Sequence, residues 1–196
     1  MSNVLKPGGE AELSTPKGQE LNCSTASGLW YFDHFMEAVK PPAVYKKFVT
    51  ESKERIWVWD PYVRAGDEVL FEDVSKEVDI RILTSDDIKT KIPLKTEEFI
   101  AGISSVQQSA QFKLELRIYN TNPNEEKGAF HDRYLFVDKH VYSVGASIQH
   151  HRRRLTSTSI HQILQEDAKS LIEEKFRDVW NHQNTQSAIT LIGGRL

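Results

Sequence analysis

Cysteine is almost absent: Cys23 is the only one in 196 residues. The chain therefore cannot close an internal disulfide or supply a thiolate zinc cluster, and a reducing, cytoplasmic setting is expected. Long apolar runs are missing as well. Mean hydropathy is −0.49, and no stretch approaches the ~18 apolar residues of a membrane-spanning helix. The first thirty residues have neither a basic start nor an apolar core, so no secretory signal is expected. Neither sign of charge dominates. Lys and Arg number 25 against 28 Asp and Glu, a formal charge of −3, and on average this argues against a polyanionic partner. No internal repeat is visible.

The rest of the composition suits a folded domain. Hydrophobic residues make up 39 % and charged residues 27 %, enough for a core in a chain of this length. Residues 1–28 are rich in Gly, Ser, Thr and Pro and read as a flexible or irregular lead-in. A single domain is expected over 29–196. It begins with the aromatic stretch "GLWYFDHFMEAV", which reads as packing against the core. Pro41-Pro42 suits the start of a helix over "AVYKKFVTES". Strands are predicted at 55–60, 78–85, 112–119, 129–138, 141–147 and 157–165, the fourth and fifth forming a hairpin around "DKH". Helices are predicted at 66–76, 94–110 and 166–183. The tail after 183 has no clear pattern. Strands alternating with helices, followed by a hairpin, predict an α/β fold with a mixed sheet flanked by helices.

Strand 129–138 carries the most distinctive side chains. In a strand, residues two apart share a face, so His131 and Arg133 are expected to point the same way. Their polar heads require an anion or a polar partner. A phosphate suits both, because arginine binds phosphate oxygens bidentately and histidine serves as nucleophile or general acid-base near neutral pH. Two polar residues on a solvated face is the plainer alternative. A second candidate is "DPYVR". Asp60 sits where a strand ends, a preferred place for ligands in α/β sheets. Arg64 offers a further phosphate contact and Tyr62 a surface to stack or pack. The alternative here is a structural turn capped by Asp60, with Arg64 paired to a surface carboxylate.

The spacing adds a resemblance. "HDRYLFVD" is His-x-Arg-x-x-x-x-Asp, and Gly145 follows Asp138 after six intervening residues. This resembles the phospholipase D-like superfamily, whose signature is His-x-Lys, four residues, Asp, six residues, then Gly-Ser-x-Asn. "RIWVWDPYVR" followed by "DIRILTS" is similar to the C-terminal phospholipase D-like domains of MIT-domain proteins. "HDRYLFVD…VYSVGAS" also resembles small prokaryotic phospholipase D-like proteins of defence or mobile-element neighbourhoods. The resemblance implies a phospholipase D-like fold with one HKD-type motif and no metal or other cofactor. In such enzymes one histidine attacks phosphorus and a second, from another copy of the motif, protonates the leaving oxygen. With a single motif, this chain would need a homodimer, which a two-fold contact permits. Three departures stand out. Arg133 replaces the lysine, the Gly-Ser-x-Asn segment reads Gly145-Ala146-Ser147-Ile148, and residues 157–164 lack the carboxylate that orients the histidine. Ser147 or Gln149 are the candidates to replace the missing phosphate contacts.

Charge is unevenly spread. Residues 139–165 contain no Asp or Glu, and Lys139, Arg152, Arg153 and Arg154 give the window +4. The remainder holds 21 basic against 28 acidic residues, or −7. A basic cluster beside a phosphate-binding motif points to a polyanion, with DNA or RNA preferred and anionic lipid headgroups as the alternative. A solvated basic loop, or an arginine-rich contact to an acidic protein partner, would look the same.

The first function expected is a metal-independent phosphodiesterase, a nuclease acting as a homodimer, in a prokaryotic defence or mobile-element setting. His131 would be the nucleophile or general acid, Arg133 would hold the phosphate and Asp138 would support the local geometry. The alternative is a catalytically degenerate module that binds anionic lipid headgroups, nucleic acid or partner proteins. A third reading is a structural subunit of a larger assembly.

Overall fold

The computed structural model describes residues 23–24, 28–32, 41–63, 67–75, 77–86, 101–102, 114–120, 131–145 and 158–187. Among these residues nine strands form one mixed sheet, β1 (Cys23–Ser24), β2 (Leu29–Phe32), β3 (Arg55–Trp59), β4 (Asp79–Asp86), β5 (Leu114–Asn120), β6 (Tyr134–Val137), β7 (His140–Val144), β8 (Thr158–Ile163) and β9 (Thr185–Ser187). Across the sheet they run β1-β2-β8-β7-β6-β3-β4-β5-β9. β3, β4 and β5 are parallel, and every other pairing is antiparallel. The fold class expected from the sequence, an α/β mixed sheet flanked by helices, is the one observed.

Alternation along the strands builds two cores. On β3, Ile56 and Val58 join one apolar cluster while Trp57 and Trp59 join the other. β6 divides in the same way, Leu135 and Val137 to the first and Phe136 to the second. The first cluster is covered by helix α1 (Pro41–Glu51) through Tyr45 and Val49, and by a 3₁₀ helix (Asp67–Phe71) through Leu70 and Phe71. The second is covered by helix α2 (Glu166–Trp180) through Phe176 and Trp180. Phe176 is fully buried, with ring centroids 5.1 Å from Trp57, 5.2 Å from Phe136 and 5.5 Å from Trp180. α2 forms because Ile172, Phe176, Val179 and Trp180 recur at helical spacing on one stripe. Glu166 and Asp167 in its first turn and Arg177 in its last complement the helix dipole.

Several elements differ from their sequence-based outlines. The helix expected at 66–76 is only the five-residue 3₁₀ helix, with Leu70, Phe71 and Val74 buried in the core. The strand expected at 129–138 contracts to Tyr134–Val137. Its ladder with β3 ends at the Trp59–Tyr134 pair, where Asp60 and Pro61 turn away and proline brings no N–H. Leu29–Phe32, given no element beforehand, is a strand on β8, and β9 closes the far edge against β5. Cys23–Ser24, inside the stretch read as lead-in, pairs with β2. Of the helix expected at 94–110, Ala101 and Gly102 are helical and the rest lies outside the described residues.

Candidate functional site

The site is built where the parallel strands end. One row of paired residues runs Tyr134, Trp59, Leu83, Arg117 across β6, β3, β4 and β5. One step further along β3 and β4, and one step back along the antiparallel β6, lie Asp60, Thr84 and Arg133 as neighbouring positions. Asp60 is buried, at 1 % exposure. Its backbone N–H donates to the Leu83 carbonyl at 3.0 Å, and its carboxylate accepts the Tyr62 N–H at 2.9 Å. That is an Asx turn, in which a short carboxylate side chain closes the turn that the proline opens. Tyr62 is thereby placed beside the start of β6, and the Arg133 guanidinium lies over its ring at 5.4 Å.

Arg133 is half-buried and His131 and Asp132 are exposed. All three precede β6 rather than lying in it. The Arg133 carbonyl accepts the Val144 N–H at 2.9 Å, so its backbone remains tied to β7. The Gly145 N–H donates to the Ser159 carbonyl at 2.8 Å, bringing the residue after β7 against β8. The Tyr134 phenol is pushed above its ordinary value by burial and then by the Asp132 carboxylate. His131, Arg133, Asp60, Tyr62 and Gly145 thus gather at one end of the sheet. Among the described residues no hydrogen bond to the His131 ring is present.

Asp138 lies elsewhere. The four residues of β6 span about 13 Å and separate it from the His131 end. It occupies the first position of the two-residue β6–β7 turn with φ 51°, a conformation that aspartate is among the few non-glycine residues to tolerate. Its Oδ1 accepts the N–H groups of Glu54 at 2.8 Å, Lys53 at 3.1 Å and Arg55 at 3.2 Å, and the Ser52 hydroxyl at 2.9 Å. Its carbonyl accepts Arg55 Nε at 2.7 Å, and the Arg55 guanidinium makes a bidentate pair with Glu173 at 2.8 and 2.7 Å. Asp138 therefore locks the hairpin turn, the start of β3 and α2 together.

Arg64, Ser147, Gln149, Arg152, Arg153 and Arg154 lie outside the described residues. The structure adds Thr84 and Ser85, which are buried at the end of β4 beside Asp60. In the sequence "TSDD" reads only as a strand running into a turn. Their signal was two hydroxyl residues directly after the apolar pair Ile82-Leu83 of a parallel strand. Among the described residues no three His, Cys, Asp or Glu side chains converge as a metal site, and no helix is long and apolar enough to cross a membrane.

A mixed α/β sheet with a polar cluster at the carboxyl ends of its parallel strands is a broad class of fold, in which those ends are a preferred place for ligands. Comparison with solved structures narrows that class. The phospholipase D family member Nuc from Salmonella typhimurium superimposes at a TM-score of 0.52 with 15 % identity, over 74 % of this chain and 88 % of Nuc. NucT from Helicobacter pylori gives 0.52 at 9 % identity, over 75 % of this chain and 90 % of NucT. Phosphatidylserine synthase from Haemophilus influenzae gives 0.54 at 15 % identity, over 75 % of this chain. This chain spans only 36 % of the synthase, and 54 % of the archaeal chromatin protein TrmBL2, which matches at 0.47. No family model and no curated protein sequence matches the chain. The fold is that of the phospholipase D-like superfamily.

Proposed function

We propose that the chain is a metal-independent phosphodiesterase of phospholipase D-like type, acting on nucleic acid as a homodimer. The observation that carries this reading is the placement of His131 and Arg133 together at the start of β6, beside Asp60 at the carboxyl end of β3, in a phospholipase D-like fold. Arg133 would hold the non-bridging oxygens of a phosphodiester. The His131 imidazole would attack phosphorus, and His131 of a second copy would protonate the leaving oxygen. Water would then hydrolyse the phosphohistidine, assisted by the same second histidine. Asp60 would set the geometry of the turn beside Arg133, and Asp138 would hold the far end of the hairpin. The acid-free window after the motif favours DNA or RNA, with Arg152, Arg153 and Arg154 guiding the strand. Arg64, Ser147 and Gln149 remain candidate phosphate contacts, and a defence or mobile-element setting is part of this proposal.

The test is hydrolysis of single- and double-stranded DNA in excess EDTA. Cleavage that persists in EDTA and falls at least a hundredfold in His131→Ala is expected. Its absence, or its loss with EDTA, would count against the enzyme. One observation favours a second reading, a binding module without catalysis. β8 presents Ser159 rather than a carboxylate next to Gly145, and a histidine without an orienting carboxylate loses control of its tautomer. That reading expects unchanged DNA, and salt-sensitive binding to DNA or to vesicles containing anionic lipid.

A further inference from the structure

We infer that Tyr62 positions Arg133 for phosphate binding and makes the site selective for arginine over lysine at residue 133. The inference rests on the phosphodiester site proposed above and deepens it. The two side chains come from different segments whose backbones are each anchored to the sheet. Tyr62 is held by the Asp60 carboxylate at 2.9 Å, and Asp60 is itself bonded to Leu83 on β4 at 3.0 Å. Pro61, with its fixed φ, stiffens the two-residue step between them. Arg133 is held from the other side by the Val144 N–H at 2.9 Å. The ring and the guanidinium then meet at 5.4 Å, within the ~6 Å over which a cation is attracted to an aromatic face.

The consequence is chemical. An unconstrained arginine loses much rotamer freedom when it grips an anion, and prior restraint against a ring reduces that loss. A planar guanidinium can lie against a ring and still offer N–H groups at its rim for two phosphate oxygens, whereas a compact ammonium on a flexible stem is not held that way. A conservative change to lysine is therefore not conservative here. The ligand class this favours is a phosphate with two free oxygens on one face, as every phosphodiester in a nucleic-acid backbone presents.

The test uses fluorescence anisotropy with a fluorescein-labelled single-stranded DNA 20-mer, in a His131→Ala background so that cleavage does not consume the probe. Tyr62→Phe should bind as the parent does, and Tyr62→Leu about two- to fivefold more weakly, the equivalent of one exposed cation–ring contact. Arg133→Lys should weaken binding in the parent and cost less in Tyr62→Leu, because the partner that distinguishes arginine is gone. Equal binding by Tyr62→Leu, with a loss of tenfold or more in Arg133→Ala, would overturn the role of Tyr62 while leaving the phosphate site standing. Unchanged binding in Arg133→Ala would instead remove the phosphate site. A second measurement needs no ligand. In the free protein the Arg133 Nε–H resonance should be displaced upfield by the Tyr62 ring current, and the displacement should be kept in Tyr62→Phe and lost in Tyr62→Leu. An Arg133 resonance at an ordinary position in the unsubstituted chain would refute the contact itself.

Discussion

At the residue scale, Asp138 and His131 belong to one sequence motif but stand at opposite ends of β6. Four donors converge on the Asp138 carboxylate, three of them backbone N–H groups of the segment entering β3. Burial pushes its carboxyl up, but the hydrogen bonds from Glu54, Ser52, Arg55 and Lys53 outweigh that and hold it below its ordinary value. Asp138→Ala should cost about 2–3 kcal/mol at pH 7, since several donors lose a charged acceptor. Asp138→Asn should cost less, because asparagine tolerates the positive φ and still accepts. The sign of the pH dependence follows from the lowered value. The stabilisation is present above the unfolded carboxylate pKa of ~3.9 and is lost as pH falls through the lower folded value. The gap between wild type and Asp138→Asn in urea denaturation should thus close under acid conditions. A gap that stays constant down to pH 2 would show that the charge is not what stabilises. The spacing of the motif made Asp138 visible in the sequence. Its partners at 53–55 were not legible, because they donate from the backbone, which almost any residue type could supply.

At the scale of elements, legibility followed the strength of the apolar pattern. Ile56–Trp59 of β3 is buried throughout, Ile80–Leu83 of β4 is buried except at Arg81, and β5 alternates buried Leu114, Leu116 and Ile118 with half-buried Glu115 and Arg117, so their type was plain from the residues. β9, with Thr185, Gln186 and Ser187, has no apolar residue. It is a strand only because β5 offers an open edge, which no local pattern encodes. β2 was hidden by its own aromatics, which read equally well as core packing. Its attachment instead depends on Gly28, at φ +62°, whose carbonyl accepts the Gln162 N–H at 2.8 Å. A Cβ there would stand 2.8 Å from Gln162 Cβ, closer than packed carbons come. Gly28→Ala should therefore destabilise by about 2 kcal/mol, combining a left-handed backbone with this overlap. The loss should be local, with hydrogen exchange accelerated in Leu29–Phe32 and Thr158–Ile163 and unchanged in Arg55–Trp59. Uniform acceleration across the sheet would show that β2 is not a separable attachment.

For the molecule as a whole, the two ends of β6 differ in how they are held. One end is tied down by Asp138, Arg55 and Glu173, and the other leaves His131 exposed beside a restrained Arg133. A rigid sheet between them lets the exposed end keep a fixed geometry without a hydrogen bond to every side chain in it. The average charge of −3 gave no hint of this, because the acid-free stretch of 139–165 is cancelled by an acidic remainder. The central claim is that His131 is the nucleophile toward a phosphodiester. The most direct measurement is mass spectrometry of the His131 peptide after rapid alkaline quenching of a reaction with single-stranded DNA in EDTA. The expected result is a nucleotide adduct on His131, abolished in His131→Ala. Cleavage with no adduct, or with the adduct on another residue, would contradict it.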